Sequence, residues 1–221
     1  MNIFTDTNLP IGYAIPYDKW HDCSVKLIQK PSYTIYWSNL VEEEYGIKLG
    51  SIIDDIEIFS NEVKEILKNN EKDFSSYSEF EKFLLKRTKG CDLDKDKKIK
   101  LIEDFWIKNN IIEGISEDIC IKFDAFRKDL QNIFYERDMD LKDILILHDC
   151  GVDNYLRYYK YAVELNDNGI HKPDCKIVVD AHDCGLIHDN LIFMSNDNKL
   201  LEPISKIDTS HLAIIEFKSY C

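Results

Sequence analysis

The stretch Asn2-Ile3-Phe4-Thr5-Asp6-Thr7-Asn8 places a short apolar run directly before an acid. Its composition favours a short β-strand, and Asn8 and Pro10 are typical of a turn, so the strand is expected to end at Asp6. In open α/β sheets, ligands bind outside the carboxyl ends of the strands. This stretch therefore predicts both the start of a sheet and the first residue of a candidate site.

Three later segments also have the composition of strands, and helical patterns separate them. Strands that alternate with helices indicate a mostly parallel sheet, so the predicted fold class is α/β. The three segments are residues 33–38 (YTIYWS), 190–197 (NLIFMSND) and 212–217 (LAIIEF).

The middle of the chain is predicted to be helical. Asn39 is expected to cap a helix, with Glu42 in the capping-box position. The periodicity of apolar residues then continues through residues 60–138, which we interpret as a helical insertion in a single domain spanning residues 1–221. The first stripe on this helix consists of Val41, Tyr45, Leu49, Ile52, Ile56 and Phe59.

Three more helices are predicted after the insertion. The first covers residues 139–151 and ends on Cys150-Gly151, and the second covers residues 153–169. The third covers residues 173–185, with Pro173 in the first turn and Gly185 as the C-cap.

The triplet His-Asp-Cys occurs three times, at residues 21–23, 148–150 and 182–184. Glycine follows the last two copies, which fall at predicted helix C-termini, where histidine interacts favourably with the helix dipole. A zinc site is the competing interpretation, because zinc prefers imidazole and thiolate ligands. Since the chain lacks a short Cys-x2–4-Cys pair, we favour the helix-end interpretation; the first copy stays unexplained.

Cysteine usage and the amino-terminal sequence predict the compartment. The seven cysteines are odd in number and show no framework spacing, which favours reduced thiols. The chain shows no basic segment followed by an apolar core, and no apolar run of about 20 residues. We therefore expect a cytoplasmic protein with no membrane contact.

Charge is unevenly distributed along the chain. The net charge of −13 argues against a polyanionic partner. The acid excess, however, lies outside residues 60–110, and basic residues cluster between Lys82 and Lys100. A solvated surface is the simpler interpretation of this cluster, and a substrate clamp is the alternative. The cluster comprises Lys82, Lys86, Arg87, Lys89, Lys95, Lys97, Lys98 and Lys100.

Four acids are candidates for one site. Asp6 and Asp197 follow predicted strands, and Asp174 opens the helix that leads to the strand before Asp197. Glu44 is chosen from the run Glu42–Glu44, because Glu42 already has a capping role and Glu43 points farthest from the apolar stripe. Asp180 replaces Asp174 if residues 175–179 form a strand.

These segments resemble the acidic motifs of the PIN-domain nucleases. The resemblance rests on IFTDTN, SNLVEEEY, KPDCKIVVDAHDCG and LIFMSND, in this order, and covers about residues 1–59 and 139–221. It implies a three-layer α/β/α fold with a central mostly parallel sheet. It also implies that Asp6, Glu44, Asp174 and Asp197 form the catalytic cluster of a metal-dependent endoribonuclease.

The implied chemistry needs a divalent cation, because converging carboxylates repel one another. Mg2+ or Mn2+ is expected at Asp6, Asp174 and Asp197, with Glu44 orienting or deprotonating a water. The expected substrate is RNA, which can be single-stranded, and cleavage would leave a 5'-phosphate and a 3'-hydroxyl. Basic residues of the insertion, and Trp37, Tyr158 or Tyr159, are the expected contacts to it.

Two alternatives belong to different classes. The first is a catalytically inactive PIN-like scaffold that binds protein or RNA, with the helical insertion as its partner surface; the acidic composition favours it. The second is a metalloprotein built on the His-Asp-Cys triplets. Tightly bound zinc would favour the second alternative, whereas Mn2+-stimulated RNA cleavage that Asp6→Asn abolishes would favour the nuclease.

Overall fold

The computed structural model describes residues 1–70, 72–90, 92–111, 114–151 and 154–221. These residues form two compact units, one made of residues 1–47 and 137–221 and the other of residues 48–136. In chain order, the elements are β1 (Asn2–Thr5), α1 (Asn8–Ala14), α2 (His21–Ile28), β2 (Thr34–Ser38), α3 (Asn39–Lys68), β3 (Asp73–Phe74), α4 (Tyr77–Arg87), α5 (Lys95–Lys108), β4 (Gly114–Ile115), α6 (Ser116–Ile144), β5 (Ile146–His148), α7 (Asn154–Arg157), α8 (Tyr159–Asp167), α9 (Asp174–Ile187), β6 (Ile192–Met194), α10 (Asn198–Ile204) and β7 (Glu216–Lys218).

The first unit contains a five-stranded sheet in the order β5-β2-β1-β6-β7. All four neighbouring pairs are parallel, which confirms the predicted α/β class. The chain builds outwards from β1 to β2 and β5, and then returns to the other side of β1 to add β6 and β7. The order therefore reverses between β1 and β6, and the carboxyl ends of these two strands are where such sheets bind ligands.

Apolar side chains from the central strands form the core of this unit. Ile3, Phe4 and Phe193 are fully buried, and Trp37 on β2 is 1% exposed. The rings of Phe4 and Phe193 stack with their centroids 6.1 Å apart. Such continuous apolar runs are typical of parallel strands, which are covered on both faces.

The helix predicted for residues 139–151 is wrong in its second half. Helix α6 ends at Ile144, and Ile146–His148 form the edge strand β5. A short apolar run such as ILILH suits a helix or a strand equally well by periodicity. These residues form a strand because they pair with β2, in a register that aligns His148 with Ser38.

Three smaller predictions also differ from the structure. Asn8 begins helix α1 instead of a turn, and the last strand is Glu216–Lys218 instead of residues 212–217. The Oγ of Ser38 accepts a hydrogen bond of 3.4 Å from the backbone N–H of Val41, so Ser38 caps α3. The side chain of Asn39 instead donates to Asp149.

The helix-end interpretation of the two His-Asp-Cys-Gly copies is wrong. His148 ends a strand, and α9 continues through Gly185 to Ile187. A Cβ on Gly185 would lie 1.8 Å from the carbonyl oxygen of Ala213, so glycine allows close backbone packing there and does not cap the helix. The helix predicted for residues 153–169 is two helices, α7 and α8, and its first residue, Asp153, lies outside the described residues.

The prediction of reduced thiols is wrong for one pair. Cys23 and Cys221 form a disulfide, with their Cα atoms 5.5 Å apart. The distance lies within the usual range for this bond. Cys91 lies outside the described residues. The free cysteines are Cys120, Cys150, Cys175 and Cys184.

The second unit has an aromatic core. It was predicted to be wholly helical, but β3 and β4 form a short antiparallel pair within it. Phe74 on β3 packs against Phe80 and Phe83, with ring centroids 5.1 Å apart in both cases. Further edge-on and tilted ring contacts involve Phe59, Phe105, Trp106, Phe123 and Phe126.

Within the described ranges, no helix is both long and apolar enough to cross a lipid bilayer.

Candidate functional site

Asp6 lies at the carboxyl end of β1 and is 5% exposed. Its carboxylate accepts hydrogen bonds from the backbone N–H of Asn8 at 3.0 Å and from Asn8 Nδ2 at 3.1 Å. The hydroxyl of Ser195, which directly follows β6, donates a third hydrogen bond to it. Asp6 is therefore held across the point where the strand order reverses.

Burial raises the pKa of Asp6 to about 7. Hydrogen bonds from Ser195 and Asn8 oppose this shift, whereas the negative charges of Asp174 and Asp197 add to it. Because electrostatic effects of this kind weaken steeply with distance and with solvent, both acids lie near Asp6. The structure thus brings together three acids that are far apart in the sequence.

Glu44 joins this group through Thr7. On α3, Glu44 accepts a short hydrogen bond from the hydroxyl of Thr7, the residue next to Asp6. Glu43, in contrast, lines a different cavity together with Asn39 and Leu40. The contact to Thr7 therefore links Glu44, and not Glu43, to the residue next to Asp6.

Asp180, the alternative third acid, belongs to another cluster. It lies inside α9, and its Oδ1 accepts a hydrogen bond of 2.9 Å from Asn154 Nδ2. It also forms hydrogen bonds with Ser38 and Cys150, and burial raises its pKa. Asp174, whose charge acts on Asp6, is thus the better third member of the acid cluster.

Asp197 combines a structural role with a position at a cavity. Its Oδ1 caps α10 by accepting from the backbone N–H of Lys199 at 2.8 Å, and its own N–H donates to Ser195 Oγ at 2.9 Å. It also lines a cavity of about 200 Å³. The other lining residues are Asn8, Ile11, Asp18, Lys19, Trp20 and Asn196.

The site also contains Lys19, Trp20 and Ser195, which were not among the residues predicted from the sequence. The Nζ of Lys19 lies 4.6 Å from the centre of the Trp20 ring. Gly12 allows this region to pack closely, because a Cβ there would lie 2.3 Å from Ser24 Oγ. Two signals point to these residues: the Lys-Trp pair, and Ser195 two positions before Asp197.

The acid cluster suits a hard divalent cation. Its donors are carboxylate oxygens, and the groups that hydrogen-bond to Asp6 are neutral. Such donors favour Mg2+ or Mn2+ over softer metals. Among the described residues, the sets of three ligand atoms that lie within 4.8 Å of one another are found around His148 and not at Asp6. The acids around Asp6 are therefore spaced more widely than the members of those sets.

Two overlapping sets of metal-ligand type surround His148. One consists of His148, Cys184 and His188, and the other of His148, Cys150 and Asp183. His148, Asp183 and Cys184 are less than 10% exposed. Residues of both His-Asp-Cys-Gly copies therefore meet in space, which periodicity alone did not show.

The predicted nucleic-acid contacts are only partly available. Trp37 is 1% exposed, so its prediction as a stacking residue is wrong. The hydroxyl of Tyr158 donates to Asp183 at 2.8 Å, whereas Tyr159 is 57% exposed.

Part of the basic cluster is used within the second unit. Lys98 is buried, Lys97 pairs with Asp94 at 3.3 Å, and the guanidinium of Arg87 lies 3.9 Å from the ring centre of Phe83. The remaining exposed lysines include Lys82, Lys86, Lys89 and Lys95.

Comparisons with protein-family models, with curated proteins and with solved structures found no match to the chain. The fold and the site together define a class: an α/β protein with a carboxylate cluster at the reversal point of a parallel sheet.

Proposed function

We propose that this protein is a divalent-metal-dependent phosphodiester hydrolase, and specifically an endoribonuclease. One observation carries the proposal: Asp174 and Asp197 lie close enough to the buried Asp6 to raise its pKa, at the sheet position where ligands bind. The sequence resemblance to the PIN-domain nucleases supports the same assignment. The three-layer, PIN-like arrangement of the first unit is part of this proposal.

Asp6, Asp174 and Asp197 would hold Mg2+ or Mn2+. When bound, such a cation lowers the pKa of a coordinated water and offsets the negative charge that develops on the phosphate. Ser195 and Asn8 fix the orientation of the Asp6 carboxylate through their hydrogen bonds. Glu44, oriented by Thr7, accepts a proton from the attacking water.

Lys19 and Trp20 supply contacts to the substrate next to the acids. Asp197 and both residues line the same cavity, so a strand whose phosphate approaches the acids also meets an ammonium group and an aromatic ring. Base stacking on aromatic rings and attraction of the backbone by cations are the main contributions in single-stranded nucleic-acid binding. Single-stranded RNA is therefore the favoured substrate.

Cleavage of labelled single-stranded RNA in Mn2+ tests this proposal. We expect cleavage by the unmodified protein and its loss in Asp6→Asn. Asp189→Asn is the matched control, because it removes the same charge from an exposed position and should keep full activity.

Two results would contradict the assignment. One is that neither Mn2+ nor Mg2+ supports cleavage of single-stranded or duplex RNA by the unmodified protein, which would leave the non-catalytic scaffold. The other is an unchanged rate in Asp6→Asn.

A further inference from the structure

We propose a second metal site in the first unit, distinct from the acid cluster, in which His148, Cys150, Cys184 and His188 bind one zinc ion. The four side chains come from two regions of the chain, the end of β5 and the end of α9. Both regions carry the repeated triplet His-Asp-Cys. The site therefore accounts for two of its three copies.

Cys184 and His188 lie on the same face of one helical turn. His188 is the C-cap of α9, four positions after Cys184, and its backbone N–H donates to the carbonyl of Cys184 at 2.9 Å. Residues with this spacing are neighbours on a helix surface. Metal sites commonly use pairs with such short spacing. The pair here is Cys-x3-His, so it does not match the Cys-x2–4-Cys pattern.

Each histidine already has a partner for its second ring nitrogen. Nε2 of His148 lies 3.1 Å from Asp183 Oδ2, and Nδ1 of His188 lies 3.4 Å from the hydroxyl of Tyr36. The His188 ring also stacks on Tyr36, with centroids 4.4 Å apart. Ligating histidines usually donate their other N–H to such a group, which fixes the tautomer and leaves one nitrogen for the metal.

Asp183 is itself held in place, so it can orient His148. Its Oδ1 accepts from the hydroxyl of Tyr158 at 2.8 Å and lies 3.6 Å from the guanidinium of Arg157. His182 and Asp149, the remaining members of the two triplets, have other tasks. His182 Nδ1 accepts from the backbone N–H of Ala213, and Asp149 accepts from Asn39 and from the backbone N–H of Gly151.

Cys150 supplies the fourth ligand. Its thiol lies within 4.8 Å of the ligand atoms of His148 and Asp183, and the ligand atoms of His148, Cys184 and His188 lie within the same distance of one another. The two sets share only His148. Tetrahedral zinc bonds of about 2.0–2.3 Å require ligand atoms roughly 3.3–3.8 Å apart, so Cys150 has to move towards Cys184 and His188 to complete the site. Cys150 also lines a cavity of about 270 Å³ with Asn154 and Asp180, through which an ion can reach it.

The ligand types select the metal. Two thiolates and two imidazoles form the Cys2His2 set of structural zinc sites, and sulfur ligands disfavour Mg2+ and Ca2+. A catalytic cysteine is the alternative interpretation, because Cys150 lies beside a histidine and an acid, the residue types that activate a thiol nucleophile. That interpretation is disfavoured, because a reactive cysteine needs an electropositive environment, whereas Cys184 is fully buried and Cys150 forms a hydrogen bond with Asp180.

The bound ion would join the edge strand to a helix. Strand β5 has three residues and pairs on one side only, with β2. A metal bridge from His148 and Cys150 to α9 would anchor this short edge strand, which has no second neighbouring strand to pair with among the described residues. The site is thus expected to be structural, because four protein ligands leave no open position for catalysis.

Cobalt binding to the full chain, with the Cys23–Cys221 disulfide intact and under argon, tests the proposal. We expect one equivalent of Co2+ to give the intense absorption of a four-coordinate thiolate complex, and Zn2+ to abolish it by displacement. Cys150→Ala should remove about half of the thiolate charge-transfer intensity, because one of two thiolates is lost. His188→Gln should weaken Co2+ binding more than about 100-fold, since removal of a ligand should exceed the cost of losing its supporting partner.

Three control variants keep the test specific. His171→Gln changes an exposed histidine and Cys175→Ala a buried free cysteine on the same helix, and neither should alter the spectrum. Asp6→Asn should also leave it unchanged, which separates this site from the acid cluster. Absence of the thiolate absorption in the unmodified protein, or its full retention in His188→Gln, would overturn the proposal.

Discussion

Replacement of Asp6 by asparagine is expected to stabilise the protein at pH 8 in the absence of divalent cations. The folded protein holds this carboxyl group at a pKa of about 7, compared with 3.8 as the ordinary value. Between these two values the folded state binds the proton more tightly than the unfolded state. The free energy of unfolding of the unmodified protein should therefore fall as the pH rises from about 4 to about 7, and then level off.

The size of this effect follows from the shift. A difference of roughly three pKa units corresponds to about 4 kcal/mol at pH 8. Asparagine removes the buried charge but cannot accept all the hydrogen bonds that Ser195 and Asn8 donate, which costs about 1–2 kcal/mol. The net gain should be about 2–3 kcal/mol, or roughly 4–12 °C in Tm for a chain of this size.

Thermal unfolding of both proteins in EDTA, from pH 4 to pH 9, measures this effect. Mn2+ should raise the Tm of the unmodified protein increasingly above pH 7 and have little effect on Asp6→Asn. Asp189→Asn should behave like the unmodified protein throughout. The reasoning is refuted if Asp6→Asn is less stable than the unmodified protein at pH 8, or if the stability of the latter does not decline between pH 4 and pH 7.

Three further predictions concern other residues. Ser195→Ala removes a hydrogen bond that lowers the pKa of Asp6, so the rising limb of the Mn2+-dependent cleavage rate against pH should move about one unit towards alkaline pH; an unmoved limb would contradict this role. Gly185→Ala should lower the free energy of unfolding in urea by about 1–3 kcal/mol, because the new Cβ meets the carbonyl of Ala213. The matched control Gly46→Ala, with no atom within 4 Å of its Cβ, should instead raise it by about 0.5–1 kcal/mol. Replacing Lys82, Lys86, Lys89 and Lys95 by serine should reduce the slope of log RNA affinity against log salt concentration by up to about 3 in magnitude. Filter binding measures this slope, and an unchanged slope would exclude a substrate clamp.

The central strands could be predicted from the sequence, but the edge strand β5 could not. β1 and β6 are apolar runs directly before the polar residues Asp6 and Ser195, so the composition of each run and the residue that follows it both predict a strand. Strand β5 is a three-residue apolar segment directly after a long helix, and only its pairing with β2 distinguishes it from the last turn of that helix.

The two candidate sites also differed in how far the sequence could predict them. Asp6, Asp174 and Asp197 each follow a strand or open a helix, positions that local sequence patterns can indicate. The second site depends on His148 meeting Cys184 and His188 across the fold, and on a tertiary contact that explains Gly185. No local pattern encodes such contacts, which is why the helix-end interpretation of the triplets failed.

The central position of β1 affects how the protein folds during synthesis. Its two neighbours are β2, which follows within 40 residues, and β6, which is about 190 residues further along the chain. At a ribosomal rate of about 5–20 residues per second, β1 waits roughly 10–40 s for its second partner. During this interval one edge of an apolar strand is unpaired and open to association with other nascent chains, so chaperone binding should be most valuable before Ile192–Met194 emerge.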